Sequence, residues 1–160
     1  MANEVRRIVA AHDSNGRARF AKDDRIPVAP LGAKGSKSVL LWVTDRTPAD
    51  NMDPRDLRES VSGLTSQGGT SFRVIEVSPS EETPMHRTLS IDYVIVTQGQ
   101  IDLELEGGGT RTLSAGDVVI QRGTNHRWIN RSGQWAQMIA ITISADPVTV
   151  GGKTLGEVHI

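Results

Sequence analysis

Ile91-Asp92-Tyr93-Val94-Ile95-Val96-Thr97-Gln98-Gly99-Gln100-Ile101-Asp102-Leu103-Glu104-Leu105-Glu106-Gly107-Gly108-Gly109 is the stretch on which the fold turns. Residues 91–96 alternate apolar and polar, and Thr97-Gln98-Gly99-Gln100 then turns the chain. Residues 101–106 alternate strictly with period two, the pattern of a strand with one wet face. Three glycines close the segment. Outward from it the same rhythm continues. Ser71–Ser78 lies upstream; Arg111–Leu113, Asp117–Gln121, His126–Asn130 and Gln137–Ser144 lie downstream, separated by Gly, Ser or Asn. Short strands at close, regular spacing predict an antiparallel sandwich or barrel.

The flanks are less regular. Asp13-Ser14-Asn15-Gly16 sits between two short runs, and Asn-Gly there predicts a hairpin, since both residues tolerate positive φ. Residues 22–36 read as loop, and Ser38–Thr44 as a strand. Residues 45–70 are charged and rich in Pro and Gly; the spacing predicts a short helix over Pro54–Ser60 with Asp53 as N-cap. From Pro147 onward the chain reads as a peripheral strand or a tail. These pieces form one domain: an extension over 1–69, a barrel core over 70–146 and a C-terminal segment over 147–160.

Composition bounds the function. One domain is the expectation for 160 residues at roughly 100–200 residues each. Apolar residues make up 37% and charged residues 23%, enough for a packed core. Eighteen basic against nineteen acidic residues give a net charge of −1, which argues against a general nucleic-acid binder. With no cysteine, a disulfide scaffold, a thiolate nucleophile and an iron–sulfur cluster are excluded. The longest apolar run, Val39–Val43, falls far short of the ~20 residues that span a bilayer. The start of the chain has no signal-peptide pattern. A cytoplasmic protein with no nucleic-acid or membrane partner is expected.

Chemistry concentrates in residues 84–99 and 116–130. Residues i and i+2 of a strand share a face. If His86 points into a barrel, so does Thr88; if His126 does, so do Trp128 and Asn130. Two imidazoles from different strands and the carboxylate of Asp92 from a third make a mixed nitrogen–oxygen site with open positions. Metal-free, His86 or His126 can act as a general base. Trp128 reads as a pocket wall favouring flat apolar ligands. Arg122, on a turn near the mouth, can recruit a carboxylate. Asn130 reads as a structural hydrogen-bonder, Tyr93 as a packing residue on the face opposite Asp92, and the Glu104/Glu106 face as solvated surface.

The two stretches resemble the paired motifs of the cupin superfamily. The first motif runs Gly, five residues, His-x-His, three or four residues, Glu, six residues, Gly. His86 fits its first histidine, Asp92 stands where the glutamate is expected, and Gly99 closes it. Gly116, Gly123, His126 and Asn130 fit the second motif. Departures are Thr88 for the second histidine, Asp92 for the glutamate, Ser80 for the upstream glycine and Gln121 for the usual proline. The resemblance spans about residues 70–145. It implies an all-β double-stranded β-helix, a jelly-roll barrel with N-terminal strands extending one sheet, and a homodimer. It implies His86, Asp92 and His126 as both catalytic residues and ligands of a divalent metal (Fe, Mn, Ni or Zn). No organic cofactor is expected. Thr88, Arg122 and Trp128 would contact a small organic substrate, and the reaction type stays open among oxygenation, decarboxylation, isomerisation and lyase chemistry. The alternative is a metal-free, non-catalytic binder of a small ligand.

Overall fold

The computed structural model describes residues 3–31, 35–61 and 63–158. Its strands are β1 (Glu4–His12), β2 (Ala18–Pro27), β3 (Ala29–Pro30), β4 (Lys37–Thr44), β5 (Thr70–Val77), β6 (Ser90–Gln98), β7 (Gln100–Leu105), β8 (Thr110–Ser114), β9 (Val118–Arg122), β10 (His126–Ile129), β11 (Ala136–Ser144), β12 (Thr149–Val150) and β13 (Lys153–Thr154). A six-stranded sheet has the order β3-β4-β5-β11-β6-β9, and a three-stranded sheet the order β10-β7-β8. Residues 82–86 lie along the free side of β10 through bridges at Glu82–Ile129 and His86–His126. The fold is all-β, as the alternation predicts.

Period-two alternation decides which side chains enter the space between the sheets. Val77, Val94, Val96, Ile101, Leu103, Trp128, Ala136, Met138 and Ala140 form one buried cluster. These residues come from alternate positions of five strands, so the cluster fills the inner end of the barrel. Gly99 permits the tight β6–β7 turn: its φ is +74°, and a Cβ there would lie 2.4 Å from the Trp135 carbonyl oxygen.

The outer face of the six-stranded sheet is covered too. Ile26, Val39, Leu41 and Val74 form a second cluster with Val5, Val28, Phe72 and Ile139 against it. The hairpin β1–β2 therefore packs on this face as a sheet of its own, while β3 and β4 extend the main sheet. Arg7 fixes the hairpin in place. It donates to Asp24 and to the Leu41 carbonyl, and it pairs with Asp56 at 2.8 Å.

The sequence expectations fail at three places. Residues 22–27 are strand rather than loop, because Arg6–Asp23 and Arg7–Asp24 pairs tie this polar segment to β1. The helical turn is a short 3-10 turn over Leu57–Ser60 capped by Asp56, not Asp53. Glu104 is partly buried against Arg127 rather than plain solvated surface, while Glu106 is exposed and pairs with Arg87. Among the described residues, no helix is long and apolar enough to cross a membrane.

Candidate functional site

One end of the barrel is polar. The row Ser71, Thr142, Asp92, Gln121 runs across β5, β11, β6 and β9 in register, with all four side chains on the inner face. The row beneath it is Arg73, Ala140, Val94, Val119. His86 and His126 enter at the same end, since His126 follows β9 after a short turn and His86 precedes β6.

His86 and His126 are direct cross-strand partners that exchange both backbone hydrogen bonds, at 2.8 and 2.9 Å. Paired side chains on one face are close neighbours, and here the ring centroids lie 4.3 Å apart. Both rings are buried. His86 Nδ1 lies 2.9 Å from the Pro84 carbonyl, and His126 Nδ1 lies 2.9 Å from the Thr124 carbonyl. A carbonyl oxygen only accepts, so each Nδ1 donates, and among the described residues neither Nε2 has a hydrogen-bond partner. Burial pushes the pKa of His126 down to about 4; the Thr124 carbonyl raises it and the neighbouring His86 lowers it further. His126 is therefore neutral near pH 7. Trp128 packs edge-on against it, with centroids 5.8 Å apart.

Asp92 is buried on the same face, but its oxygens are engaged. Ser90 Oγ donates to Oδ1 at 2.5 Å, and Thr88 Oγ1 lies 3.3 Å from Oδ2 and 2.9 Å from Ser90 Oγ. Burial pushes its pKa up, opposed by those two hydroxyls and by the charge of His86. The expected three-ligand set is only part-assembled: among the described residues, no three His, Asp or Glu side chains converge on a point that could hold a metal ion. The reason is local. Asp92 is one methylene short of the expected glutamate, and Thr88 occupies it rather than supplying a third imidazole.

The remaining expected residues divide. Thr88 is buried beside Asp92, and Trp128 is part of the interior cluster. Arg122 is exposed on the outer face of β9, opposite Ile91. It lines a cleft of about 120 Å³ together with Arg87, Thr88 and Val148 of the C-terminal segment. Asn130 is fully buried and structural: it donates to the Val77 and Gln134 carbonyls and accepts from Ser132.

Two inward-facing residues were not singled out by sequence. Gln121 accepts from Thr124 through Oε1, and among the described residues its Nε2 has no partner. Arg73 is 7% exposed, and among the described residues it donates to the Gly63 carbonyl at 2.9 Å and has a buried Nε without a partner. Burial lowers its pKa. The available signal was a charged residue on the apolar phase of β5, in line with Ile75 and Val77.

A family profile described as "Cupin domain" matches residues 73–142. Phomopsin biosynthesis cluster protein C' of Diaporthe leptostromiformis is 38% identical over 161 residues, covering 95% of this chain and 85% of that protein. The chain belongs to the cupin family. Cupin-domain-containing oxidoreductase fogC of Aspergillus ruber is 32% identical, over 96% of this cupin and 79% of that protein. Among solved structures, the polyketide cyclase RemF from Streptomyces resistomycificus superposes with a TM-score of 0.55 at 19% identity, covering 84% of this cupin and 80% of that chain. The Schizosaccharomyces pombe Cnp3 cupin domain gives 0.56 at 12% identity, covering 90% and 89%. At such identities these two structures speak to the cupin fold alone.

Proposed function

We propose that this cupin is an enzyme of small-molecule biosynthesis that takes an organic substrate into the polar end of the barrel and moves protons on it with His86 and His126. The observation that carries this reading is the cross-strand histidine pair. Both Nδ1 atoms are held by backbone carbonyls, and among the described residues neither Nε2 atom has a hydrogen-bond partner. A neutral imidazole held in a fixed tautomer is equipped to accept a proton from a bound substrate. His126 supplies that acceptor, and burial raises the pKa of the Asp92 carboxyl, which is held by Ser90 and Thr88. Relatives named for biosynthesis clusters and as cupin-domain oxidoreductases support small-molecule metabolism as the setting.

The test starts from a strain of the source organism lacking this gene. The small molecules that accumulate are isolated and incubated with purified protein. Turnover by wild type, reduced at least a hundredfold in His86→Gln and His126→Gln, is expected, because positioned acid–base groups contribute about 10²–10⁴-fold. Tight binding without turnover by wild type would instead establish a non-catalytic binder.

A resident divalent ion (iron, manganese, nickel or zinc) is the second reading, favoured by the two Nε2 atoms without hydrogen-bond partners among the described residues. Asp92 would have to release Ser90 and Thr88 to complete its shell. Elemental analysis of protein expressed in medium supplemented with all four metals tests it, with near-stoichiometric occupancy expected only if Asp92 is recruited.

We propose further that the protein forms a homodimer through the free side of the main sheet. β9 is the last strand of that sheet, and Tyr93, Val118 and Ile120 expose apolar surface on its outer face.

A further inference from the structure

We propose that Arg73 is the substrate-recognition residue of the barrel and that it selects organic acids by binding their carboxylate. The inference deepens the reading of the barrel as the ligand site and rests on it.

A guanidinium carries five N–H donors and a charge that cannot be shed. Buried guanidinium groups are held by carboxylates in ordinary protein interiors, because an unpaired buried charge is costly. This same chain shows the ordinary solution at Arg7, which is equally buried and is held by Asp24 and Asp56. Arg73 has no ion pair among the described residues. Its hydrogen bond goes to the backbone of residue 63, in the segment laid across this end of the barrel. Ser71 donates to the Leu64 carbonyl of the same segment. The nearest inward carboxyl in register is Asp92, two strands away and two residues along, roughly 12 Å from Arg73 by strand geometry. Burial raises its pKa.

The neighbouring side chains in the row of Arg73 are short. Its cross-strand neighbour is Ala140, whose side chain is a single methyl group, with Val94 beyond it. A carboxylate seated over Ala140 would accept from the unpartnered Nε of Arg73, and planar bidentate pairing is the geometry a guanidinium favours. The body of the acid then points to Trp128 and the histidine pair. On the far wall Gln121 Nε2 supplies a second buried donor without a partner among the described residues, suited to an oxygen further along the ligand. Arg122, by contrast, is exposed on the outer face.

The probes are benzoate and hexanoate, each matched to its neutral amide, titrated into the full-length protein and followed by protein NMR. Resonances of the Arg73 side chain, Ala140 and Trp128 are expected to move with both acids. Each acid should bind at least tenfold more tightly than its amide, about 1.4 kcal/mol. Arg73→Met should abolish that preference while leaving the amides unchanged, and its melting temperature should equal or exceed that of wild type, because the substitution removes an unpaired buried charge. Arg73→Lys, which keeps the charge but loses the fork, should retain only part of the preference. Equal affinity for acid and amide in the barrel overturns the proposal, as does acid binding that survives Arg73→Met. Lack of any response to either acid at 50 mM also overturns it, and so does a melting temperature lowered by several degrees in Arg73→Met, which would make the residue a prop for the segment at Gly63. Shifts confined to the outer cleft at Arg122 would instead refute the barrel as the ligand site.

Discussion

His126 should make the protein lose stability on mild acidification, well before general acid unfolding. Its pKa drops from 6.5 in the unfolded chain to about 4 in the fold. A depressed pKa means that the unfolded state binds the proton first. The stabilising contribution is thus fully present above pH 6.5 and lost as pH falls toward 4. A shift of 2.5 units at 1.36 kcal/mol per unit gives a limit of about 3 kcal/mol, of which about 2 kcal/mol is gone at pH 4.5. Such a loss is large against a typical domain stability of about 5–15 kcal/mol. Asp92 works in the other direction: its raised pKa contributes stability at low pH that is lost as pH rises through its folded value. The His126 effect must therefore be isolated by difference.

The assay is urea unfolding at pH 7.0 and 4.5, with EDTA present, for wild type and His126→Gln. Wild type should lose about 2 kcal/mol more than the variant between the two pH values. The His126 imidazole resonances should show no protonation between pH 8 and 5 and a neutral Nδ1–H tautomer throughout. A difference below about 0.5 kcal/mol, or an NMR pKa above 6, refutes the claim that burial dominates at this site.

Three further outcomes follow from named contacts. Thr88→His supplies a third imidazole beside Asp92, and calorimetric titration with Zn²⁺ or Ni²⁺ should show at least a tenfold gain in affinity over wild type, about 1.4 kcal/mol. Arg7→Ala leaves Asp24 without its ion pair, leaves Asp56 to Arg58 and Lys22, and frees the hairpin; allowing for the partial exposure of Asp24, a loss of about 2–3 kcal/mol in urea unfolding is expected. Ile120→Glu places a charge in the exposed apolar patch of β6 and β9, and sedimentation should show a dimer for wild type and a monomer for the variant, with the melting curve of the isolated chain little changed.

The sequence was most legible where burial on one face enforces period two. The strands from Thr70 to Ser144 fall within a residue or two of their expected places, and His86 and His126 meet because their strands are adjacent. It was least legible where polar residues satisfy one another. β2 carries Lys22, Asp23, Asp24 and Arg25, which read as loop; only the facing Arg6 and Arg7 make that segment a strand. Asp102 reads as a wet-face residue, yet it is buried and accepts from Arg131 at 2.8 Å. Asp92 matches its motif position, but its engagement by Ser90 and Thr88 depends on a side-chain rotamer that spacing does not encode. Arg73 went unnoticed for a related reason: strand periodicity marks it as inward, but only three-dimensional placement reveals that no carboxylate accompanies it.

The polar end of the barrel conflicts with the logic that holds the rest together. Several other buried polar groups are paired: Arg7 has two aspartates, Asp102 has Arg131, and the hydrogen-bond capacity of Asn130 is filled. At the mouth, Arg73 Nε and Gln121 Nε2 lack partners among the described residues, His126 is held neutral, and the pKa of Asp92 is raised by burial. Sequences tend to satisfy local rules except where function competes with stability. Arg73, Asp92 and Gln121 share adjoining rows of one inner face, and His126 belongs to the second sheet. A ligand that pairs the guanidinium would relieve the conflict, and at a concentration a hundredfold above its dissociation constant would stabilise the fold by about 2.7 kcal/mol. That gain should be much reduced in Arg73→Met even though the unliganded variant is the more stable protein. Opposite effects of one substitution on the free and bound states are what separates a binding residue from a structural one.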